Sequence, residues 1–116
     1  MKKAKVLLVA PNLLVNEGEL SRIEPPMGLL LFAPLLQRDG HEVLIKDFAL
    51  EGWDTLTPFD LKNKRYIRGA TEEYMAKTIS DFNPDILGIS VLYSSLIDSA
   101  KAVARIAKKI NPKITV

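Results

Sequence analysis

Hydroxyl and amide side chains stand at the ends of two apolar runs of this chain, where they could hold a ligand by hydrogen bonds. Asn12 follows the run Lys5 to Ala10, and Ser90, Tyr93 and Ser94 lie at the end of a later run. Hydroxyl groups donate and accept, and amides do both through separate atoms. In an open α/β sheet, ligands bind outside the carboxyl ends of the strands. If both runs are strands of one parallel sheet, these side chains share a single binding edge.

Several kinds of chemistry are excluded by what the sequence lacks. The chain contains no cysteine, which excludes disulfides, thiolate catalysis and cysteine-bound zinc or iron–sulfur clusters within it. It has neither the glycine fingerprint of dinucleotide-binding domains nor a P-loop. Clustered carboxylates, as in phospho-acceptor receiver domains, are also missing from the ends of the predicted strands. The single histidine, His41, lies in a turn beside Gly40 and is interpreted as a solvated residue.

The elements that must position the edge alternate between strand and helix. Short apolar runs with β-branched members predict strands, and apolar residues at helical spacing predict helices. Thr71 is the expected N-cap of the second helix, and Ser94 or Ser95 is the expected N-cap of the third. Pro34 is expected to kink the first helix or delay its start. The predicted strands are 5–10, 42–48, 85–91 and 113–116, and the predicted helices begin near Met27, Thr71 and Ser95 and end near Gly40, Asn83 and Asn111.

Two segments at the predicted edge show no clear periodicity. Pro11 to Glu24 is predicted to be a loop, and Ala49 to Gly69 is predicted to be a long loop that could contain a short helix. Trp53, Phe59 and Tyr66 fall in the second segment. These aromatic rings could cover a ligand or meet a partner domain, although pinning the loop to its own core is the commoner role.

The fold class predicted from this order is α/β, with helices on both faces of a mostly parallel sheet. The architecture is three-layered and Rossmann-like, specifically flavodoxin-like, and the sequence stops after its fourth strand. One domain, residues 1–116, is expected. Because the last predicted strand would lack its covering helix, the chain is expected to be part of a longer protein.

The sequence resembles a known family over nearly its whole length. The resemblance is to the cobalamin-binding domain that precedes the catalytic domain of many radical S-adenosylmethionine enzymes. It depends on the order and spacing of several short pieces rather than on any one of them. Those pieces are Lys5-Val6-Leu7-Leu8-Val9, Pro25-Pro26-Met27-Gly28-Leu29-Leu30, Gly40-His41-Glu42-Val43, Asn83-Pro84-Asp85-Ile86-Leu87-Gly88-Ile89-Ser90 and Ile110-Asn111-Pro112.

The resemblance implies roles for residues at the binding edge. Ser90-Val91-Leu92 matches a Ser-x-Leu element that holds the nucleotide tail of cobalamin, where the hydroxyl would satisfy a benzimidazole nitrogen and Leu92 would pack on the ring. Gly88 and Ala33 would leave room for the tail. Residues 11–26 contain no histidine, so Asn12, Leu13 or a water would face the cobalt. The cofactor-binding residues implied are Asn12, Leu13, Gly88, Ser90, Leu92, Tyr93 and Ser94.

The same resemblance implies the partners of the domain. A radical S-adenosylmethionine domain following in the same polypeptide would hold a [4Fe–4S] cluster and S-adenosylmethionine, and would carry out methyl transfer or rearrangement. This chain, lacking cysteine, would not be catalytic alone. Two alternatives stay open: a cofactor-free scaffold of the same fold, and the nucleotide-binding half of a two-domain transferase.

Charge and hydropathy limit the remaining partners. A net charge of +2, spread along the chain, does not predict nucleic-acid or membrane binding. The apolar run after Lys3 is too short for a signal peptide, so a cytoplasmic location is expected.

Overall fold

A computed structural model describes residues 3–20 and 26–116. The parallel sheet has β1 (Lys5–Ala10) at its centre, between β3 (Glu42–Asp47) and β6 (Ile86–Ile89). Both neighbours run parallel to β1. The predicted fourth strand reduces to one parallel bridge between Ile86 and Thr115. The central position of β1 explains its continuous apolar sequence, since both of its faces are covered.

Helices cover the two faces of this sheet unequally. Alternate residues of β1 point to opposite faces, and Leu7 and Val9 belong to the larger apolar cluster, with Met75 and Val103. That cluster packs α2 (Glu72–Phe82) and α3 (Ile97–Ile110) against the sheet. On the other face, Val6 and Leu8 contact Leu29 and Ala33 of α1 (Met27–Arg38) in a smaller cluster. The α/β prediction with helices on both faces is confirmed.

The first helix runs through its proline. α1 begins at Met27 and continues past Pro34 to Arg38, so the expected delay in its start is wrong. Proline deletes the amide hydrogen bond to the residue four positions earlier, here Leu30. Both residues lie outside the buried positions of the helix, Leu29 and Ala33, and Leu30 is half-exposed. The missing bond therefore lies on the side of the helix away from the sheet.

A second sheet occupies the two segments that lacked periodicity. It is antiparallel, in the order β2–β5–β4, with β2 at Leu13–Asn16, β4 at Leu56–Asp60 and β5 at Arg65–Arg68. The predictions of a loop at 11–24 and of a loop or short helix at 49–69 are wrong for these residues. Residues 21–25, the end of the first predicted loop, lie outside the described residues. Two features explain the error. β2 pairs with β5 across a long stretch of sequence, and β4, which forms a hairpin with β5 through residues 61–64, contains Pro58 and is mostly exposed.

The predicted N-cap is correct for α2 and wrong for α3. Thr71 caps α2 as predicted, accepting a hydrogen bond from the Tyr74 amide at 3.2 Å, and Asn83 ends the helix in a left-handed conformation. A short 3-10 turn, Ser94–Leu96, precedes α3, and no side chain caps either element. The prediction that Ser94 or Ser95 caps the last helix is therefore wrong.

Candidate functional site

An open cleft of about 380 Å³ lies at the carboxyl ends of the three parallel strands. Each strand contributes a residue at or just beyond its end: Ala10 from β1, Asp47 from β3 and Ser90 from β6. The second sheet adds a wall, because Leu13, Leu14 and Val15 of β2 also line the cleft. The remaining lining residues are Pro11, Glu19, Leu20, Pro26, Ala49, Leu92, Tyr93, Ser95 and Leu96.

Ser90 lines this cleft directly after the last residue of β6, Ile89. Its amide donates to the Val9 carbonyl at 2.9 Å, which extends the β1–β6 pairing by one residue. The residue is half-buried. Leu92 is 63% exposed, so its side chain has apolar surface available for a ligand.

Four of the seven predicted binding residues line the cleft. They are Leu13, Ser90, Leu92 and Tyr93. Ser94 is exposed in the 3-10 turn and is not among the lining residues. A methyl group added to Gly88 would lie 2.9 Å from Leu8 Cδ2, so the space beside this glycine is filled by a core side chain. Ala33 likewise packs in the smaller core cluster.

Asn12 was expected to face the ligand, and the structure places its side chain elsewhere. Asn12 is 5% exposed, and its Nδ2 donates to the Ala70 carbonyl at 2.9 Å. Its neighbours Pro11 and Leu13 line the cleft, whereas Asn12 borders a smaller cavity on the side of α2 and α3. The sequence could not show this direction, because it depends on how the backbone passes from β1 into β2.

Several lining residues were missed by sequence reasoning. Leu14 and Val15 were assigned to a loop, although their apolar character is the signal that could have indicated a strand. Asp47 ends β3, and its Oδ1 accepts from the Ala49 and Leu50 amides at 3.0 and 3.2 Å. It nevertheless also lines the cleft. Glu19 accepts from the Asn16 amide at 3.0 Å, so this carboxylate is also held by backbone.

The described residues that line the cleft are mainly apolar, with hydroxyl and carboxylate groups and no cationic side chain among them. Pockets for organic ligands are commonly of this kind, with a few polar groups that set orientation. His41 lies away from the cleft, at the amino end of β3, where its Nδ1 accepts from the Ala4 amide at 3.0 Å. Within residues 3–20 and 26–116, no cluster of three or more potential metal ligands occurs.

Among the described residues, the two side chains with a shifted pKa, Asp60 and Tyr74, lie outside the cleft lining. The Tyr74 hydroxyl donates to Glu51 Oε1 at 2.7 Å, and this hydrogen bond to the carboxylate raises the pKa of Tyr74. The Asn63 side chain donates to Asp60 at 2.6 Å in the β4–β5 turn and lowers the pKa of that carboxyl. Neither group points to acid–base chemistry in the cleft.

No helix in the described part of the chain is long and apolar enough to cross a membrane.

Comparison with known proteins shows the family of this chain. Residues 15–116 match the family model described as the B12 binding domain. The chain is 30% identical over 109 residues to cytidylyl-2-hydroxyethylphosphonate methyltransferase from Streptomyces wedmorensis, covering 94% of this chain and 20% of that protein. It is 36% identical over 120 residues to an uncharacterized methyltransferase from Pyrococcus horikoshii, covering 100% of this chain and 21% of the relative. No solved structure gives a significant match.

Proposed function

Because the chain belongs to the family of B12-binding domains, we propose that its cleft holds cobalamin and positions the cofactor for methyl transfer completed by another domain. The observation that supports this proposal most directly is the position of Ser90. Ser90 is half-buried and lines an open cleft at the carboxyl edge of the parallel sheet, rather than lying in a filled core.

The residues of the cleft suit such a ligand. Leu13, Leu92 and the apolar wall of β2 offer surface for a large organic ring system. In this proposal the Ser90 hydroxyl donates to the nitrogen of the nucleotide tail, which would otherwise be a buried acceptor without a partner. Bound cobalamin would supply the cobalt centre that carries a methyl group. The chain itself would bind and orient the cofactor and exclude water from one of its faces.

The partner in this proposal is a radical S-adenosylmethionine domain in the same polypeptide. Both relatives are named as methyltransferases, and this chain spans about a fifth of their length. An iron–sulfur cluster of that domain would need cysteine ligands, and this chain has none. The cluster and S-adenosylmethionine would therefore be held outside residues 1–116, with the bound corrin presented toward them.

Retention of hydroxocobalamin tests the cofactor assignment. The purified chain is mixed with hydroxocobalamin, desalted and examined by visible spectroscopy, and we expect corrin absorbance to remain with the protein. Loss of all corrin absorbance from the folded wild-type chain would contradict the proposal.

Ser90→Trp tests the placement of the tail. The indole should fill the mouth of the cleft and reduce retention at least tenfold, while circular dichroism stays that of the wild type. Ser80→Trp, on the exposed side of α2, is the matched control and should retain cobalamin normally. If Ser90→Trp binds as tightly as Ser80→Trp, Ser90 does not border the tail.

A further inference from the structure

Asn12 occupies the link between the two sheets of the molecule. It lies between the last residue of β1, Ala10, and the first residue of β2, Leu13. Its neighbours on both sides line the cleft, and its own side chain is buried in the opposite direction. A buried polar side chain at such a junction needs a hydrogen-bond partner, and Asn12 has one in a segment distant in sequence.

The partner of Asn12 belongs to the segment that leads from β5 into α2. Nδ2 of Asn12 donates to the Ala70 carbonyl at 2.9 Å and lies 3.9 Å from the sulfur of Met75, which is fully buried. The Ala70 amide in turn donates to the Phe48 carbonyl at 2.7 Å. Asn12 and Ala70 therefore connect the end of β1, the end of β3 and the start of α2.

This junction lies directly before one wall of the cleft. β2 pairs only with β5 among the described strands, and β5 ends at Arg68, two residues before Ala70. The bond from Asn12 to Ala70 thus fastens both strands to the carboxyl edge of the parallel sheet. Leu13, Leu14 and Val15, which form the wall, follow Asn12 directly.

We propose that Asn12 is a positioning residue that fixes the β2 wall against the parallel sheet and thereby sets the width of the cleft. The amide suits this role because its Nδ2 donates to a carbonyl without bringing a charge into the core. A leucine would leave the Ala70 carbonyl without this donor, and an ionised aspartate would place a second acceptor beside it. The effect on cofactor binding rests on the proposed function, but the effect on the second sheet does not.

Hydrogen exchange of Asn12→Leu tests the proposal. We expect the amides of β2 and β5 to exchange about tenfold faster than in the wild type, as follows from loss of one buried hydrogen bond. Amides of β1 should keep their wild-type protection. Asn111→Leu is the control: it removes a side-chain bond to the Lys113 amide at the far end of α3 and should leave β2 and β5 unchanged.

Asn12→Asp provides a second variant whose defect depends on pH. A protonated aspartate can donate to the Ala70 carbonyl, whereas the carboxylate cannot. Protection of the β2 and β5 amides from hydrogen exchange, corrected for the intrinsic exchange rate, should therefore be reduced above the pKa of the new carboxyl and restored below it. This comparison tests the role of Asn12 even if Asn12→Leu does not fold.

Cobalamin dissociation is the remaining measurement. Asn12→Leu should release hydroxocobalamin several-fold faster than Asn111→Leu. If the wild type binds no cobalamin, the proposed function fails while the exchange experiment still decides the role of Asn12. Unchanged protection of β2 and β5 in Asn12→Leu, or an equal loss of protection throughout β1, would overturn the inference.

Discussion

Gly69 lies where the backbone leaves β5 and passes close to the segment after β3. Its φ is +120°, a region that residues with a side chain rarely adopt. A methyl group on Gly69 would lie 2.3 Å from the Phe48 carbonyl oxygen and 3.1 Å from Cβ of Asn12. The close approach of these backbones depends on the absence of a side chain at this position.

We therefore expect Gly69→Ala to lower the free energy of unfolding by about 3 kcal/mol or more, since strain and a backbone clash act together. Urea denaturation followed by circular dichroism measures the change. Gly28→Ala is the control, because Gly28 lies within α1 and a methyl group there would contact nothing within 4 Å. That variant should be more stable than wild type by about 0.5–1 kcal/mol. Equal effects at the two positions would show that the crossing tolerates a side chain.

At the level of single residues, position along the chain could be predicted better than side-chain direction. The expectation that Ser90 and Leu92 would stand at the carboxyl edge follows from their place after an apolar strand, and the structure puts both on the cleft. Asn12 follows an equally clear strand but turns into the core. The difference is that the chain enters a second sheet immediately after Asn12, and the strand pattern of β1 contains no information on that turn.

Among the helices, α2 has the most complete start signal. Thr71 accepts from the Tyr74 amide at 3.2 Å, and Glu72 and Glu73 lie in the first turn, where the helix dipole favours negative charge. We expect Thr71→Ala to reduce the free energy of unfolding by about 1 kcal/mol. Thermal denaturation of the variant should show the loss.

Thr78→Ala is the matched control for the cap. The Thr78 hydroxyl donates to the Tyr74 carbonyl within the same helix at 3.0 Å, and alanine has the higher helix propensity. Thr78→Ala should therefore be neutral or slightly stabilising. A loss at Thr78 as large as that at Thr71 would mean that the hydroxyl of Thr71 has no special role as a cap.

Elements with a clear apolar pattern or cap could be predicted, even where the partner is distant, as for β6 and β1. Elements without such a pattern could not. α1 starts after Pro26 and ends just before Gly40, and α2 starts after Thr71 and ends at Asn83. These are short-range signals. β2 and β4 instead depend on β5, their common partner. β4 is mostly exposed and contains Pro58, so neither alternation nor strand propensity identifies it.

At the level of the whole molecule, the two faces of the parallel sheet are stabilised unequally. Among the described residues, eleven buried residues form the cluster between the sheet and α2 and α3, whereas four form the cluster between the sheet and α1. Segments with fewer buried contacts open at lower free energy. We therefore expect native-state hydrogen exchange to show faster opening of α1 than of α3, and Leu29→Ala to widen the difference.

The control for this comparison lies in the larger cluster. Val103 is fully buried in α3, so Val103→Ala should destabilise α3 and the sheet together rather than α1 alone. Protection of α1 equal to that of α3 in the wild-type chain would show that the size of the apolar cluster does not govern local opening here.

The β2–β5 pairing also bears on the order in which the protein folds. Leu13 is paired with Arg68, so a long loop must close before the two strands meet, and such contacts form slowly. β1 and β3, by comparison, are separated by a single helix. β6, however, joins β1 across a still longer separation, Val6 with Ile86, and the cleft is lined from β1, β2, β3 and the end of β6. The cleft is therefore complete only after both long-range pairings have formed, so a nascent chain has no finished binding edge until β6 has joined the sheet.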